Sequence, residues 1–197
     1  FSENTCDTIT IDILVPMYRI NTSFIKRLTQ LYIPPDTSVN ICIRIDNSLS
    51  THDKLLLFDI QSSFDNVKIF FNSSNLGASQ TRNLLFNFCS SEYALFLDDD
   101  VLPDDNILLG YSNAIKHSPL SPGFVGLSKL PVDGRLWTDS IHVSSLYFWH
   151  IAQHSVDPVS WGVTANLMVK WRPGVAFDLR YPKTGGGEDI DFCIQLG

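Results

Sequence analysis

Three consecutive aspartates, Asp98-Asp99-Asp100, follow the apolar run Tyr93-Ala94-Leu95-Phe96-Leu97. Carboxylates this close together at a strand end repel one another unless something offsets the repulsion. A hard divalent cation such as Mg²⁺ or Mn²⁺ does so, because it takes oxygen ligands and commonly bridges carboxylates to substrate phosphates. The plainer alternative is a strand end followed by a helix start. Pro103 suits a first helical turn, and Asp104 and Asp105 suit its positive end. That alternative accounts for Asp104 and Asp105 but not for three acids ahead of Val101. A second acidic cluster is Gly185-Gly186-Gly187-Glu188-Asp189-Ile190-Asp191-Phe192. Its glycines permit a close approach of backbone, and its acids fall in the first turn of a helix. An acidic helix start after a flexible loop is common by itself. Beside the aspartate triplet it gains a role: one cluster can hold a metal against phosphate. The other can supply the base that removes a proton from a hydroxyl attacking a sugar carbon.

These residues need elements that bring them together. Ile9 to Val15 is β-rich and ends at Pro16, and Phe24, Ile25, Leu28 and Leu31 then recur at helical spacing before Pro34-Pro35. Val39 to Ile45 is a second strand closed by Asp46-Asn47-Ser48, and Leu55 to Ile60 is helical. Val67 to Phe71 is a third strand, Ala78 to Phe88 a helix and Tyr93 to Leu97 a fourth strand. Short apolar strands alternating with helices predict parallel βαβ units with helices on both faces. Ligands of such sheets sit outside the carboxyl ends of the strands. Residues 16–19, 46–48, 72–77 and 98–100 all fall there, so the polar signals converge on one sheet edge. Beyond residue 120 the alternation stops. Phe124 to Leu130, Ile141 to His150 and Val163 to Trp171 read as strands without helices between them, which predicts a mixed or antiparallel extension. The aromatics there (Trp137, Tyr147, Phe148, Trp149, Trp161, Trp171) read first as core, although Trp161-Gly162 could present an indole to a sugar face.

The chain of 197 residues is long enough for one full core, with 44% apolar and 18% charged residues. Its net charge is −7, from 14 Lys+Arg against 21 Asp+Glu. No basic stripe is available to neutralise phosphates, which argues against a nucleic-acid partner or an anionic membrane surface. No stretch approaches the ~18 apolar residues of a membrane span, and no signal peptide is visible. The four cysteines, Cys6, Cys42, Cys89 and Cys193, form no CxxC pair, so a zinc site is not expected. His117, His142, His150 and His154 show no metal-ligand spacing and read as surface or core residues. Asn21-Thr22-Ser23 and Asn72-Ser73-Ser74 match the glycosylation sequon, a pattern short enough to arise by chance. The chain starts at Phe1 and stops at Gly197 inside an amphipathic run, so it reads as an excerpt of a longer protein. Any membrane association is then expected through parts outside it.

Six segments occur together in a fixed order. They are Val15-Pro16-Met17-Tyr18, Asp46-Asn47-Ser48, Asn75-Leu76-Gly77-Ala78-Ser79-Gln80-Thr81-Arg82-Asn83, Phe96-Leu97-Asp98-Asp99-Asp100, Gly162 through Val169, and Gly187-Glu188-Asp189-Ile190-Asp191. On these the chain resembles the family-2 type of nucleotide-diphospho-sugar glycosyltransferases, with the GT-A fold, over essentially its whole length. The resemblance implies an α/β class fold, a Rossmann-like α/β/α sandwich whose mostly parallel sheet carries a smaller mixed C-terminal extension. It implies one domain over 1–197, with a nucleotide-binding half at 1–118 and an acceptor and catalytic half at 119–197, in which residues 131–160 are expected to form the lid and acceptor wall. It implies a metal-dependent inverting transferase moving a sugar from a nucleotide-diphospho-sugar, with UDP the expected nucleotide, to a hydroxyl acceptor on a glycan, lipid or protein.

By the same resemblance, Pro16, Tyr18 and Asp46 would hold base and ribose, with Asn75 and Gly77 in the turn beside them. Arg82 would approach the base or diphosphate, Asp98 would stand at the ribose side, and Asp99 would be among the donor-binding residues. Asp100, with Asp98, would bind Mn²⁺ or Mg²⁺. Asp189 matches the base that deprotonates the acceptor, with Glu188 beside it. The chain departs from the family's pattern in several places: Asn47 replaces a second acid, Arg19 stands where Asn is frequent, and Gln195 where Arg is common. The aspartate triplet also leaves the register of the DxD motif open by one residue. The expected compartment is the cytoplasm or the cytoplasmic face of a membrane, or the Golgi lumen in a eukaryote. Two other classes stay open: a sugar-nucleotide nucleotidylyltransferase, and a catalytically silent sugar-binding module. The first usually opens with a Gly-rich basic loop, whereas Val15-Pro16-Met17-Tyr18-Arg19 has no glycine. Intact acids in both clusters argue against the second.

Overall fold

The computed structural model describes residues 8–129, 134–136, 138–140, 158–183 and 186–197. Strand β1 (Ile9–Met17) lies at the centre of a sheet with β2 (Thr37–Ile45), β3 (Val67–Phe71) and β4 (Tyr93–Leu97), all parallel. Both faces of these strands are covered. Strand β4 therefore reads as a continuous apolar run, whereas β1, β2 and β3 carry Asp12, Asn40, Arg44 and Lys68 between apolar residues. Ile11, Ile13, Val15 and Met17 of β1, with Tyr93, Leu95 and Leu97 of β4, belong to one core cluster. Leu14, Ala94 and Phe96 belong to the other. Helices α1 (Thr22–Thr29), α2 (Thr51–Ser62) and α4 (Ile107–His117) fill the first cluster through Phe24, Ile25, Leu28, Leu57, Leu108, Tyr111 and Ile115. Helix α3 (Ala78–Phe86) and α5 (Glu188–Leu196) fill the second through Leu85, Phe86, Phe192 and Leu196.

The sheet order is β3-β2-β1-β4-β6-β5, where β5 is Gly123–Val125 and β6 is Asn166–Lys170. Strand β6 runs antiparallel to both neighbours, so the expected mixed extension is present. Its strands are shorter than their apolar patterns. Strand β5 stops at Val125 rather than running to Leu130, because its partner β6 begins only at Asn166. The Asn166 side chain also crosses the place where a Cβ on Gly126 would stand, 2.2 Å away. Strand β6 starts three residues after Val163 because the chain turns first, with the Asn166 N–H bonded to the Val163 carbonyl. Pro103 does not open a helix either. Helix α4 begins at Ile107, and Pro103 sits ahead of it with its carbonyl accepting from Arg27 Nε and Nη2 at 3.2 and 2.9 Å. Arg27 also pairs with Asp105 at 2.6 Å, so this segment is tied down on α1.

The register levels the strand ends. Met17 is opposite Ile45 and Ile45 opposite Phe71, while Leu14 is opposite Phe96. Tyr18, Asp46 and Asn72 therefore leave the sheet side by side, and Asp98 leaves it at the level of Pro16, two residues back along β1. The sequon asparagines are both engaged in the fold. Asn21 caps α1 by accepting from the Phe24 N–H, and Asn72 is buried against Asp46 and Thr81. Trp171 is anchored by its indole N–H on the Phe86 carbonyl at 3.1 Å, a structural use of the ring. Gly162 packs so closely that a Cβ would fall 2.5 Å from Val125 Cγ2, and Trp161 beside it is half-buried. Among the described residues no helix is long and apolar enough to cross a membrane. The expected strand Ile141 to His150, most of the expected wall at 131–160, and Cys6, Trp137, His142, Tyr147, Phe148, Trp149, His150, His154 and Gly185 lie outside the described residues.

Candidate active site

The aligned strand ends enclose a cleft of about 320 Å³. Pro16, Met17 and Tyr18 come from the end of β1, Asp46 from β2, Asn75 and Gly77 from the turn after β3, and Ala78 and Arg82 from α3. Asp98, Asp99 and Asp100 come from the end of β4, and Lys183 from the loop before α5. Every donor-binding and metal-binding residue expected from the sequence thus lines one cavity. Glu188 and Asp189 do not line it; they adjoin it through Arg82.

Asp46 is only 6% exposed. Its Oδ1 accepts from Asn72 Nδ2 at 2.9 Å and from the Leu76 N–H at 2.7 Å, and its Oδ2 accepts from the Gly77 N–H at 2.9 Å. An ionised carboxylate offers about four acceptor positions, so the protein itself takes most of them. The structure gives Asp46 the work of fixing the Asn75-Leu76-Gly77 turn that precedes α3. Asn75 helps by accepting from the same Gly77 N–H at 2.9 Å. Gly77 has φ +89°, and a Cβ there would stand 3.0 Å from Lys183 Cβ. A glycine is required both for the left-handed turn and for the close approach of the Lys183 segment.

Arg82 links the two acidic clusters. It is 6% exposed and projects from α3 between Asp98 and Glu188. Its Nη2 donates to Asp98 Oδ1 at 2.9 Å, its Nη1 reaches Glu188 Oε1 at 3.5 Å, and its guanidinium lies 5.7 Å from the centroid of the Phe177 ring. Glu188 is itself 5% exposed and also accepts from the Gly186 N–H. The acid expected beside the base is thus a buried anchor for the start of α5. Asp189, the next residue, accepts from the Thr164 N–H at 3.2 Å and from Thr164 Oγ1 at 3.1 Å. Burial pushes its carboxyl above the ordinary value, while the nearby Arg82 charge and the Thr164 hydrogen bonds pull it back. Asp191 accepts from Gln195 Nε2 at 2.9 Å, one helical turn along α5. Gln195 therefore braces α5, since its side chain also bridges to both backbone groups of Ala176.

Within the triplet the three acids differ. Asp98 is held by Arg82, and Asp100 is exposed. Asp99 is pushed up to about 6, first by burial and then by repulsion from Asp100 and Asp98. Its backbone carbonyl accepts from Asn21 Nδ2 at 3.1 Å, which fixes the triplet against the start of α1. Among the described residues no three His, Cys, Asp or Glu side chains are arranged to hold a metal alone. Two hard carboxylates at a cleft suit a Mg²⁺ or Mn²⁺ ion that completes its shell with water and substrate phosphate, because such ions are seldom caged by protein alone. The donor set fits the group.

Phe177 and Lys183 are not singled out by the sequence, and Asn72 and Thr164 fall inside the segments 72–77 and Gly162 through Val169 without a role of their own. Asn72 reads as part of a sequon, and Thr164 as the start of a strand. Lys183 carries no signal except its nearness to the Gly-rich run.

The profile described as Glycosyl transferase family 2 matches residues 13–119, just over half of the chain. No curated protein sequence matches it. Several solved structures share the fold. Staphylococcus aureus TarS 1–349 is 17% identical, with a TM-score of 0.66 over 95% of this chain and 55% of that one. The same TarS fragment in complex with UDP is 16% identical over the same shares, also with a TM-score of 0.66. The mannosyltransferase PcManGT from Pyrobaculum calidifontis, in complex with GDP-Man and Mn²⁺, is 16% identical. It gives a TM-score of 0.64 over 94% of this chain and 51% of that one. At these identities the likeness is one of fold, the GT-A fold. The chain spans about half the length of these structures.

Proposed function

The chain belongs to glycosyl transferase family 2, and from that premise we propose that its cleft binds a nucleotide-diphospho-sugar and transfers the sugar, a hexose type, to an acceptor hydroxyl with inversion. The observation that carries the proposal is the convergence of Asp98, Asp99 and Asp100 with Arg82 in one cleft, and the bridge from Arg82 to the helix bearing Asp189. UDP is the proposed nucleotide. Support comes from fold relatives whose structures hold UDP, UDP-GlcNAc, or GDP-Man with Mn²⁺. The acceptor would meet the 119–197 half, which carries Asp189.

Asp98 and Asp100 would hold the divalent ion. When bound, such an ion neutralises the diphosphate as it departs. The chain's own residues do the rest. Tyr18 and the Asn75-Leu76-Gly77 turn shape the walls around the nucleotide, and Asp46 keeps that turn closed. Arg82 keeps Asp98 and Glu188 from repelling each other across the site. Asp189 accepts the proton of the acceptor hydroxyl as that oxygen attacks the anomeric carbon. The attack is direct, without a covalent intermediate on the protein, so the anomeric centre inverts.

Calorimetric titration tests the donor and metal reading. UDP is expected to bind in Mn²⁺ and to lose roughly tenfold or more in affinity in EDTA or in Asp100→Ala, about 1.4 kcal/mol for each factor of ten. The physical reason is that diphosphate and carboxylates repel unless a cation lies between them. UDP affinity unchanged by EDTA would contradict it.

A further inference from the structure

The cleft holds more acid than base, and its cations are unequal. Arg82 is buried and already engaged by Asp98 and Glu188. Lys183 is exposed, and among the described residues its amine has no carboxylate partner; it reaches only the Asn75 carbonyl, at 3.5 Å. Its place is nevertheless well defined. The loop that carries it is fastened to α3 at its start, where Asn83 Oδ1 accepts from the Phe177 N–H at 2.7 Å and Asn83 Nδ2 donates to the Phe177 carbonyl at 2.8 Å. It is fastened to α3 again at its end, through Arg82 and Glu188. Between these anchors the Lys183 stem lies against the bare face of Gly77, which a Cβ would fill. A lysine delivered in this way to the wall of an acid-lined cleft is unlike a lysine on an open surface.

We propose that Lys183 binds the diphosphate of the donor from the Asn75–Gly77 side of the cleft. This rests on the donor reading given above and extends it to a residue. A nucleoside diphosphate entering the cleft meets Asp98, Asp99 and Asp100. A divalent ion held by Asp98 and Asp100 would offset only part of the diphosphate's charge. The rest needs a second positive charge, and the only cleft-lining cation without a carboxylate partner among the described residues is Lys183. An ammonium on a flexible stem suits the task, since it can leave the weak Asn75 carbonyl contact for a charge-assisted bond to phosphate.

The test is titration of wild type, Lys183→Ala and Lys183→Arg with UDP, GDP and uridine in Mn²⁺. Lys183→Ala is expected to weaken nucleoside diphosphate binding roughly 10- to 100-fold, the range of a charged hydrogen bond. Uridine binding stays as in wild type, and Lys183→Arg restores most of the loss. Because the side chain is exposed, the variants keep the wild-type melting temperature. Unchanged diphosphate affinity in Lys183→Ala, or an equal loss for uridine, would overturn this assignment alone. A wild-type protein that binds neither UDP nor GDP would overturn both this assignment and the donor reading beneath it.

Discussion

Asp189→Asn is expected to lower turnover by roughly 10²–10⁴-fold, the usual contribution of a positioned general base, while UDP affinity stays near the wild-type value. Asparagine keeps the size of aspartate and can still meet the Thr164 hydroxyl, but it cannot take a proton. The geometry supports a basic role. Asp189 is partly buried on the first turn of α5, oriented on one side by Thr164, and its carboxyl lies above the ordinary value chiefly because of burial. A base must be ionised to act, so activity is lost as pH falls through the carboxyl's own pKa. Because that pKa is raised, the acidic limb of the kcat profile is expected above the pH at which an exposed aspartate titrates. In Asp189→Asn that limb disappears. Asp191→Asn is the control, since Asp191 is occupied with Gln195 along the helix. Near-normal turnover in Asp189→Asn, or a dead Asp191→Asn, would move the base away from Asp189.

Arg82→Leu is expected to cost about 3–5 kcal/mol of stability, because removing one partner of a buried pair leaves the other charge uncompensated. Glu188 is the charge left behind, at 5% exposure. Asp98 is less affected, because its side chain is 31% exposed and water can reach it. For a domain of this size the loss corresponds to about 2–4 °C in Tm per kcal/mol. The cause is separable from simple loss of packing by a double variant. Arg82→Leu/Glu188→Leu is expected to regain most of the stability, since a buried ion pair replaced by apolar side chains is often neutral. Thermal unfolding followed by circular dichroism reads both. A double variant as unstable as Arg82→Leu would show that the uncompensated carboxylate is not the cause.

Much of the frame is legible in the amino-acid sequence. The four parallel strands announce themselves by their apolar, β-branched and aromatic residues: Tyr93 to Leu97 is buried throughout, and Val67 to Phe71 is apolar except for the exposed Lys68, both with the bounds the sheet observes. The acids at the strand ends are conspicuous because repulsion makes such clusters costly. What a sequence does not encode is which carboxylate meets which partner. Arg82 and Glu188 are 106 residues apart in the chain, and no periodicity signals their contact. Asp46 looks available to a ligand, yet two backbone N–H groups and Asn72 claim most of its acceptor positions. Pro103 misleads for a related reason: its fixed φ suits a helix start, but the Arg27 hydrogen bonds to its carbonyl hold it in a connecting segment. The ends of β5 and β6 depend on where the antiparallel partner runs out, which is a property of the pair and not of either strand.

The central claim is that this cleft presents a nucleotide-sugar to a base on its far side. The most direct measurement is a donor screen in Mn²⁺ across UDP-, GDP- and dTDP-sugars, following nucleotide release and the anomeric configuration of the freshly released sugar by proton NMR. The expected result is cleavage of a UDP-sugar, with the new anomer opposite in configuration to the donor and with the activity lost in Asp189→Asn. Release of sugar with the donor's own configuration, or no cleavage of any of the three donor classes, would contradict it.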